Sequence, residues 1–283
     1  MIQDIAPHRL LNMYRPKAAP RADSLLFAMQ PKTGKVLACV RDGEVSFPEY
    51  AALEDQCEGP GALIDLLTLD QQEIFWLRES AGICVPEGYG WYGLNDLRRE
   101  GNGPRHFFFA AYTAKQLADW YLDNTWCGRC AGRMEHSRKE RALVCTACGK
   151  TVYPRLNPAI IAGVLDGDRM IVTKYAGRDI PYHALIAGFT EIGETLEETV
   201  AREVMEEVGL KVRNIRYYKS QPWAMADDIL MGFFCDVDGD TEIHMDASEL
   251  KEAFWADRDS IVLQPDTFSL TNEMMTIFKE GKL

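Results

Sequence analysis

The chain has 283 residues, 47% of them apolar and 26% charged. At roughly 100–200 residues per domain that is material for about two domains with a sizeable core, which excludes a small disulfide-stapled scaffold. Lys and Arg number 31 against 43 Asp and Glu, a formal charge of −12, and this balance opposes sequence-independent adhesion to phosphate backbones or anionic membranes.

The charge is unevenly spread. Residues 127–155 carry 7 basic and 2 acidic side chains, whereas residues 223–283 carry 4 basic and 14 acidic ones. No segment approaches the ~20 apolar residues of a membrane span, and the first residues lack the charged-then-apolar layout of a secretory signal. The expected compartment is the cytoplasm, where the eight cysteines read as metal ligands or buried thiols rather than disulfides.

Residues 1–122 carry short β-favouring runs, Ser24–Met29 and Lys35–Val40, between Gly and Pro punctuation, which predicts a mixed α+β domain with irregular connections. Thr113-Ala-Lys-Gln116 has the form of a capping box, with Ala114, Leu117, Ala118, Tyr121 and Leu122 following at helical spacing; a helix is expected to lead into Cys127. Residues 123–155 form a separate cysteine-rich segment, and residues 156–283 a third domain. There, Ala159–Leu165 and Arg169–Lys174 flank Asp166-Gly-Asp168 and predict a β-hairpin. Thr195–Val208 reads as a helix opened by a Thr195-x-x-Glu198 capping box and closed by Gly209. Strands are expected over Lys211–Lys219 and Ile229–Val237, and a last helix over Thr271–Phe278. No internal repeat or low-complexity tract is evident.

Cys127-Gly-Arg-Cys130 and Cys145-Thr-Ala-Cys148 are separated by 14 residues. Two such turns can aim four thiolates at one point, the ligand set of a closed tetrahedral Zn²⁺ site, one per chain; with no open coordination position that zinc would hold structure and activate no water. The nearby Arg129, Arg133, Arg138, Lys139 and Arg141 read either as a solvated face or as a nucleic-acid contact, and the net charge favours the former. Cys39, Cys57, Cys84 and Cys235 have no spaced partners and are expected to be buried small hydrophobes.

The most informative segment runs from Gly188 to Leu210. On a helix, Glu203, Glu206 and Glu207 stand at i, i+3 and i+4, so three carboxylates are expected on one face, beside a stripe of Leu196, Val200, Val204 and Val208 that anchors the helix. Arg202 is placed to pair with Glu206 at i+4. Such an acidic cluster suits a hard divalent cation such as Mg²⁺ bridging to substrate phosphates, hence phosphoryl transfer to water. An ordinary solvated helix would explain any three glutamates taken alone. The full pattern, G-x5-E-x7-R-E-U-x-E-E-x-G-U with U aliphatic, is filled at every position; its chance occurrence is on the order of 10⁻⁹ per position at background residue frequencies.

These residues resemble the Nudix box, and the resemblance implies an α/β/α sandwich that cleaves nucleoside diphosphates linked to another moiety with Mg²⁺ or Mn²⁺. The ribbon upstream makes the whole chain similar to the NADH pyrophosphatase subfamily, whose zinc-ribbon-containing members also hydrolyse NAD-capped RNA. The implied reaction is hydrolysis of NADH or NAD⁺ to nicotinamide mononucleotide and AMP, with ADP-ribose or another dinucleotide as the alternative substrate. A non-enzymatic zinc-ribbon nucleic-acid binder is the alternative of a different class. The subfamily marker Ser-Gln-Pro-Trp-Pro-Phe-Pro-x-Ser is matched by Ser220-Gln-Pro-Trp223 but not by Ala224-Met-Ala-Asp-Asp228, which implies a looser base pocket.

By the same resemblance, the divalent metal would be held by Glu203, Glu207, the carbonyl of Ala187 and Glu249, with Glu206 and Arg202 assisting catalysis. Phe189 and Tyr153 would stack on bases, and Gln221, Trp223, Ser269 and Arg98 would line the substrate. Trp223 could instead be core, Ser269 a helix cap and His183 purely structural. Relatives further imply a homodimer.

Overall fold

The computed structural model describes all residues except 58, 60, 81 and 178–180. The chain divides into two units, residues 4–155 and residues 1–3 together with 156–283.

In residues 4–155 the strands are β1 (Leu10–Leu11), β2 (Leu25–Ala28), β3 (Val36–Arg41), β4 (Glu44–Ser46), β5 (Leu63–Leu69), β6 (Gln72–Leu77) and β7 (Tyr89–Tyr92), followed by helices α1 (Leu94–Arg99) and α2 (Arg105–Asp123). They make a four-stranded sheet in the order β1-β5-β6-β2 and a three-stranded one in the order β4-β3-β7. Leu26, Ala28, Leu37, Phe75 and Leu77 pack together in one core cluster.

Helix α2 starts well before Thr113, whose hydroxyl donates to the Phe109 carbonyl at 2.7 Å as a mid-helix residue does. The capping-box pattern there marks no helix start, because the buried stripe runs back through Phe107, Phe108, Ala110 and Ala111. The cysteine-rich segment follows as β8 (Met134–His136), β9 (Leu143–Cys145) and β10 (Thr151–Val152), in the order β10-β9-β8.

The other unit is a mixed sheet between two helices. Its elements are β11 (Asn157–Asp166), β12 (Arg169–Tyr175), β13 (Ile186–Phe189), α3 (Leu196–Val208), β14 (Val212–Trp223), β15 (Asp228–Val237), β16 (Leu250–Asp257) and α4 (Leu270–Lys279). The order is β14-β15-β11-β12-β16, with β13 paired to β11 and the β11–β15 pair parallel. The expected β11–β12 hairpin is present, Asp166 pairing with Arg169 across Gly167, whose φ is +58°.

Alternation along the strands sorts the apolar side chains into two layers. Ile160, Ala162, Val164, Ile171, Phe233 and Cys235 face α3 through Val200, Val204 and Val208. Ile161, Met170, Val172 and Phe234 face α4 through Leu270, Met274, Met275 and Phe278, and Met1 joins this second cluster. The result is an α/β/α sandwich.

Of the four cysteines expected to be buried, Cys235 is, Cys39 and Cys57 are half-buried, and Cys84 is exposed. Cys84 is thus no core residue; its backbone exchanges hydrogen bonds with the Gln56 carboxamide on the surface. Among the described residues, no helix is long and apolar enough to cross a membrane.

Candidate active site and zinc centre

The cysteine segment delivers its four sulfurs together. Cys127 Sγ lies 3.7 Å from Cys148 Sγ and Cys130 Sγ 3.5 Å from Cys145 Sγ, and all four lie within 4.8 Å of one another. Four sulfurs 2.3 Å from a tetrahedral zinc stand about 3.8 Å apart, so the quartet fits that ion. Backbone N–H groups aim inward: that of Cys148 points at Cys145 Sγ and that of Arg129 at Cys127 Sγ, both at 3.4 Å. The donor from Cys148 foremost holds the Cys145 thiol down at about 6, which favours the thiolate a metal needs. Gly132 leaves room for this packing, since a Cβ there would come 3.0 Å from Cys145 Sγ.

Arg141 departs from a solvated face. Its Nη2 donates to the Leu66 carbonyl at 2.7 Å and its guanidinium lies 5.4 Å from the Tyr14 ring centroid. The Tyr14 hydroxyl in turn donates to the Ser137 carbonyl at 2.5 Å. The ribbon is therefore fastened to β5 and to the segment ahead of β2.

In the sandwich, α3 begins as its sequence predicts. Thr195 Oγ1 accepts from the Glu198 N–H at 3.2 Å and the Thr195 N–H donates to Glu198 Oε2 at 2.7 Å, and Gly209 ends the helix at φ +70°. Val200, Val204 and Val208 are fully buried, and Glu203 and Glu207 lie on the flank of that stripe, 9% and 2% exposed. Glu206 is not buried with them. It lies two positions past Val204, ~200° round the helix at 3.6 residues per turn, and its exposed carboxylate accepts from Arg202 Nη1 at 2.9 Å. The three carboxylates share one side of α3, Glu203 and Glu206 both on Arg202 Nη1, with Glu206 at its exposed edge.

Arg202 binds four groups at once. It makes a bidentate pair with Glu194, Nε to Oε1 at 2.6 Å and Nη2 to Oε2 at 2.9 Å. It also donates to Glu203 Oε1 at 2.8 Å and to the Phe189 carbonyl at 2.9 Å. The pairing holds Glu194 down at about 2. The loop between β13 and α3 is thereby tied to the helix, and Glu194, which the sequence reading gave no role, is the anchor; its fixed place in the pattern was the signal.

Burial foremost, then the nearby charge of Glu203, pushes Glu207 up to about 8, against a hydrogen bond from the Ala187 N–H; Glu249 adds to the rise. Burial likewise raises Glu203, opposed by Arg202. Glu207 Oε2 is buried with no hydrogen-bond partner among the described residues. The Glu203 carboxylate lies so close over Gly188 that any Cβ there would come within 2.0 Å of it. A buried, all-oxygen donor pair with an unbonded carboxylate oxygen suits a hard divalent cation. Among the described residues, however, only the cysteines form a group of three or more such ligands with closely converging atoms; Glu249 is exposed and acts on the pair through its charge.

The remaining predicted residues are scattered. Phe189 is 54% exposed and Tyr153 56% exposed, the latter donating to Glu140 Oε1 at 3.0 Å. Trp223 is half-buried at the end of β14, opposite Asp228. Gln221 is fully buried; it donates to the Phe268 carbonyl at 2.6 Å and accepts from the Leu270 N–H at 2.7 Å, so its carboxamide is engaged within the protein. Ser269 is the N-cap of α4, accepting from the Asn272 N–H. Arg98 lies half-buried on α1, in the other unit. His183 is 5% exposed and accepts from the Val262 N–H at 3.2 Å, a structural role.

Comparison with known proteins gives matches to two families. Residues 155–275 match the NUDIX domain, and residues 123–153 match the NADH pyrophosphatase zinc ribbon domain. Among curated relatives, the NAD-capped RNA hydrolase NudC of Erwinia tasmaniensis is 38% identical over 160 residues, 56% of this chain and 61% of that protein. Its namesake in Photorhabdus laumondii is 39% identical over 169 residues, 60% of this chain and 65% of that protein. The chain thus spans less than two thirds of the length of these relatives. A NUDIX hydrolase structure from Nitrosomonas europaea overlaps 56% of this chain and 92% of its own, at 19% identity and a TM-score of 0.49.

Two outcomes are expected. Elemental analysis of the purified protein should give one zinc per chain, and Cys145→Ser should lose it and open residues 127–150 to proteolysis; a zinc-free but protease-resistant ribbon would contradict the assignment. The second concerns pH. A carboxyl whose folded pKa is raised makes stability fall as pH climbs from its ordinary value of 4.5 to about 8, by about 1.4 kcal/mol per pH unit. Without added divalent cation, Glu207→Gln should match the parent near pH 4.5 and exceed its stability by a few kcal/mol at pH 8 in urea unfolding; parallel pH profiles would contradict the burial of that charge.

Proposed function

We propose that the chain hydrolyses the pyrophosphate bond of NADH and NAD⁺ to nicotinamide mononucleotide and AMP, and removes NAD caps from RNA by the same chemistry. The observation that carries this reading is the buried Glu203–Glu207 pair, with its unbonded Glu207 Oε2, on a helix locked by Arg202. The ribbon type and the names of the curated relatives supply the substrate class.

In this reading Glu203, Glu207, the Ala187 carbonyl and Glu249 would hold Mg²⁺ or Mn²⁺, which would neutralise pyrophosphate oxygens and lower the pKa of the attacking water. The water oxygen bonds to one phosphorus, the bridging P–O bond breaks with its oxygen leaving on the other phosphate, and a carboxylate of the cluster accepts the water's proton. Arg202 keeps Glu203 and Glu206 in place, and its hold on Phe189 fixes the strand end where an exposed ring is available to stack on a base. Tyr153 and Trp223 offer further rings and Arg98 a phosphate contact. Gln221 and Ser269 act by shaping the start of α4.

We read residues 1–122, 123–155 and 156–283 as an N-terminal domain, a ribbon and the hydrolase domain. We place the enzyme in the cytoplasm, whose reducing conditions suit four ligand thiols, and expect a homodimer on the strength of the family resemblance. ADP-ribose is the second reading, favoured by Ala224–Asp227. Where the subfamily marker has a rigid proline-bracketed aromatic, this chain has a turn containing Met225, with Asp227 at φ +60°.

Product analysis in ¹⁸O-labelled water across NADH, NAD⁺, ADP-ribose and NAD-capped RNA tests the assignment; intact NADH and NAD⁺ beside ready cleavage of ADP-ribose would reject the first reading. Glu207→Gln should fold, keep its zinc and lose turnover by roughly a hundredfold or more; near-normal turnover would remove Glu207 from the machinery.

A further inference from the structure

The first three residues belong to the sandwich although the next 152 do not. Met1 and Ile2 are buried, 7% and 2% exposed, and Met1 packs in the cluster of Ile161, Phe234, Leu270 and Met274. The Ile2 N–H donates to the Phe268 carbonyl at 2.9 Å. Gln3 then spans the adjacent strand: its Nε2 donates to the Ser220 carbonyl at 3.2 Å and its Oε1 accepts from Gln221 Nε2 at 3.2 Å.

Gln221 Nε2 also reaches the Phe268 carbonyl, and its Oε1 receives the Leu270 N–H. One buried carboxamide thus joins the N-terminal tripeptide, the end of β14 and the first turn of α4. Trp223 lies two residues beyond Gln221 on the same face of the strand, so whatever fixes Gln221 fixes the approach of that ring.

We propose that Gln3 is a positioning residue for the substrate edge of the sandwich, holding Ser220–Trp223 and Phe268–Leu270 in register. This rests on the proposed function only in taking Trp223 as part of the dinucleotide site. Gln3 donates and accepts through the two ends of one amide, so no apolar side chain of equal length replaces it. Losing both hydrogen bonds frees the strand end that presents Trp223, and ground-state binding is expected to weaken about tenfold. The carboxylates on α3 that carry the hydrolytic chemistry make no contact with Gln3 among the hydrogen bonds described, so turnover at saturation is spared.

The test compares wild type, Gln3→Met and Gln3→Glu in steady-state hydrolysis of NADH and by hydrogen exchange of residues 218–223 and 268–272. Gln3→Met should raise KM about tenfold with kcat within about twofold, and should speed exchange in both segments. Gln3→Glu keeps the acceptor for Gln221 and should recover part of both effects; it carries the reading if Gln3→Met does not fold. Unchanged KM and exchange, or a fall in kcat equal to the rise in KM, would overturn the proposal. A wild type that leaves NADH intact defeats the proposed function instead, and the exchange data then decide on their own whether Gln3 orders the two segments.

Discussion

Two carboxylates sit in the flank of an apolar layer, where charge is costly to bury, and the arrangement of the sandwich follows from keeping them there. Val200, Val204 and Val208 are each fully buried against the sheet, worth about 1.5–3 kcal/mol apiece, and they fix the rotation of α3. That rotation delivers Glu203 onto Gly188 and Glu207 onto the Ala187 N–H. Repulsion between the pair is offset by packing and by Arg202, whose bidentate hold on Glu194 anchors it from the loop side. The two glutamates are therefore held as a buried, oxygen-rich pair rather than as a solvated patch, an arrangement that suits a hard cation.

The same logic explains what could be read from the sequence. Helix α3 carries its capping box, its four-residue apolar repeat and its terminal glycine within 15 residues, all local signals that agree, so its ends and its buried face were legible. The β11–β12 hairpin was legible for the same reason. The exposure of Glu206 was legible as well, since its angle to the valine stripe follows from the helical period. Thr113 shows the converse: a capping-box pattern inside a helix whose buried face had already begun at Phe107.

What stayed hidden depends on contacts distant in sequence. The engagement of the Gln221 carboxamide by Phe268, Leu270 and Gln3, the last 218 positions away, has no local signal. Arg141 looked like part of a basic face until it was found over Tyr14 and against the Leu66 carbonyl. The strands of residues 10–92 are short and join in two sheets whose order is not their chain order, which no local pattern encodes. The cysteine quartet needed no such information, because metal geometry translates directly into spacing.

The central claim is that Glu203 and Glu207 form a cation-binding pair from the folded chain itself. Anomalous diffraction from crystals soaked in Mn²⁺ examines it directly. The account predicts an anomalous peak within about 2.0–2.6 Å of a carboxylate oxygen of each residue. Manganese bound only elsewhere, or these two side chains turned into bulk water with the helix otherwise intact, would contradict it.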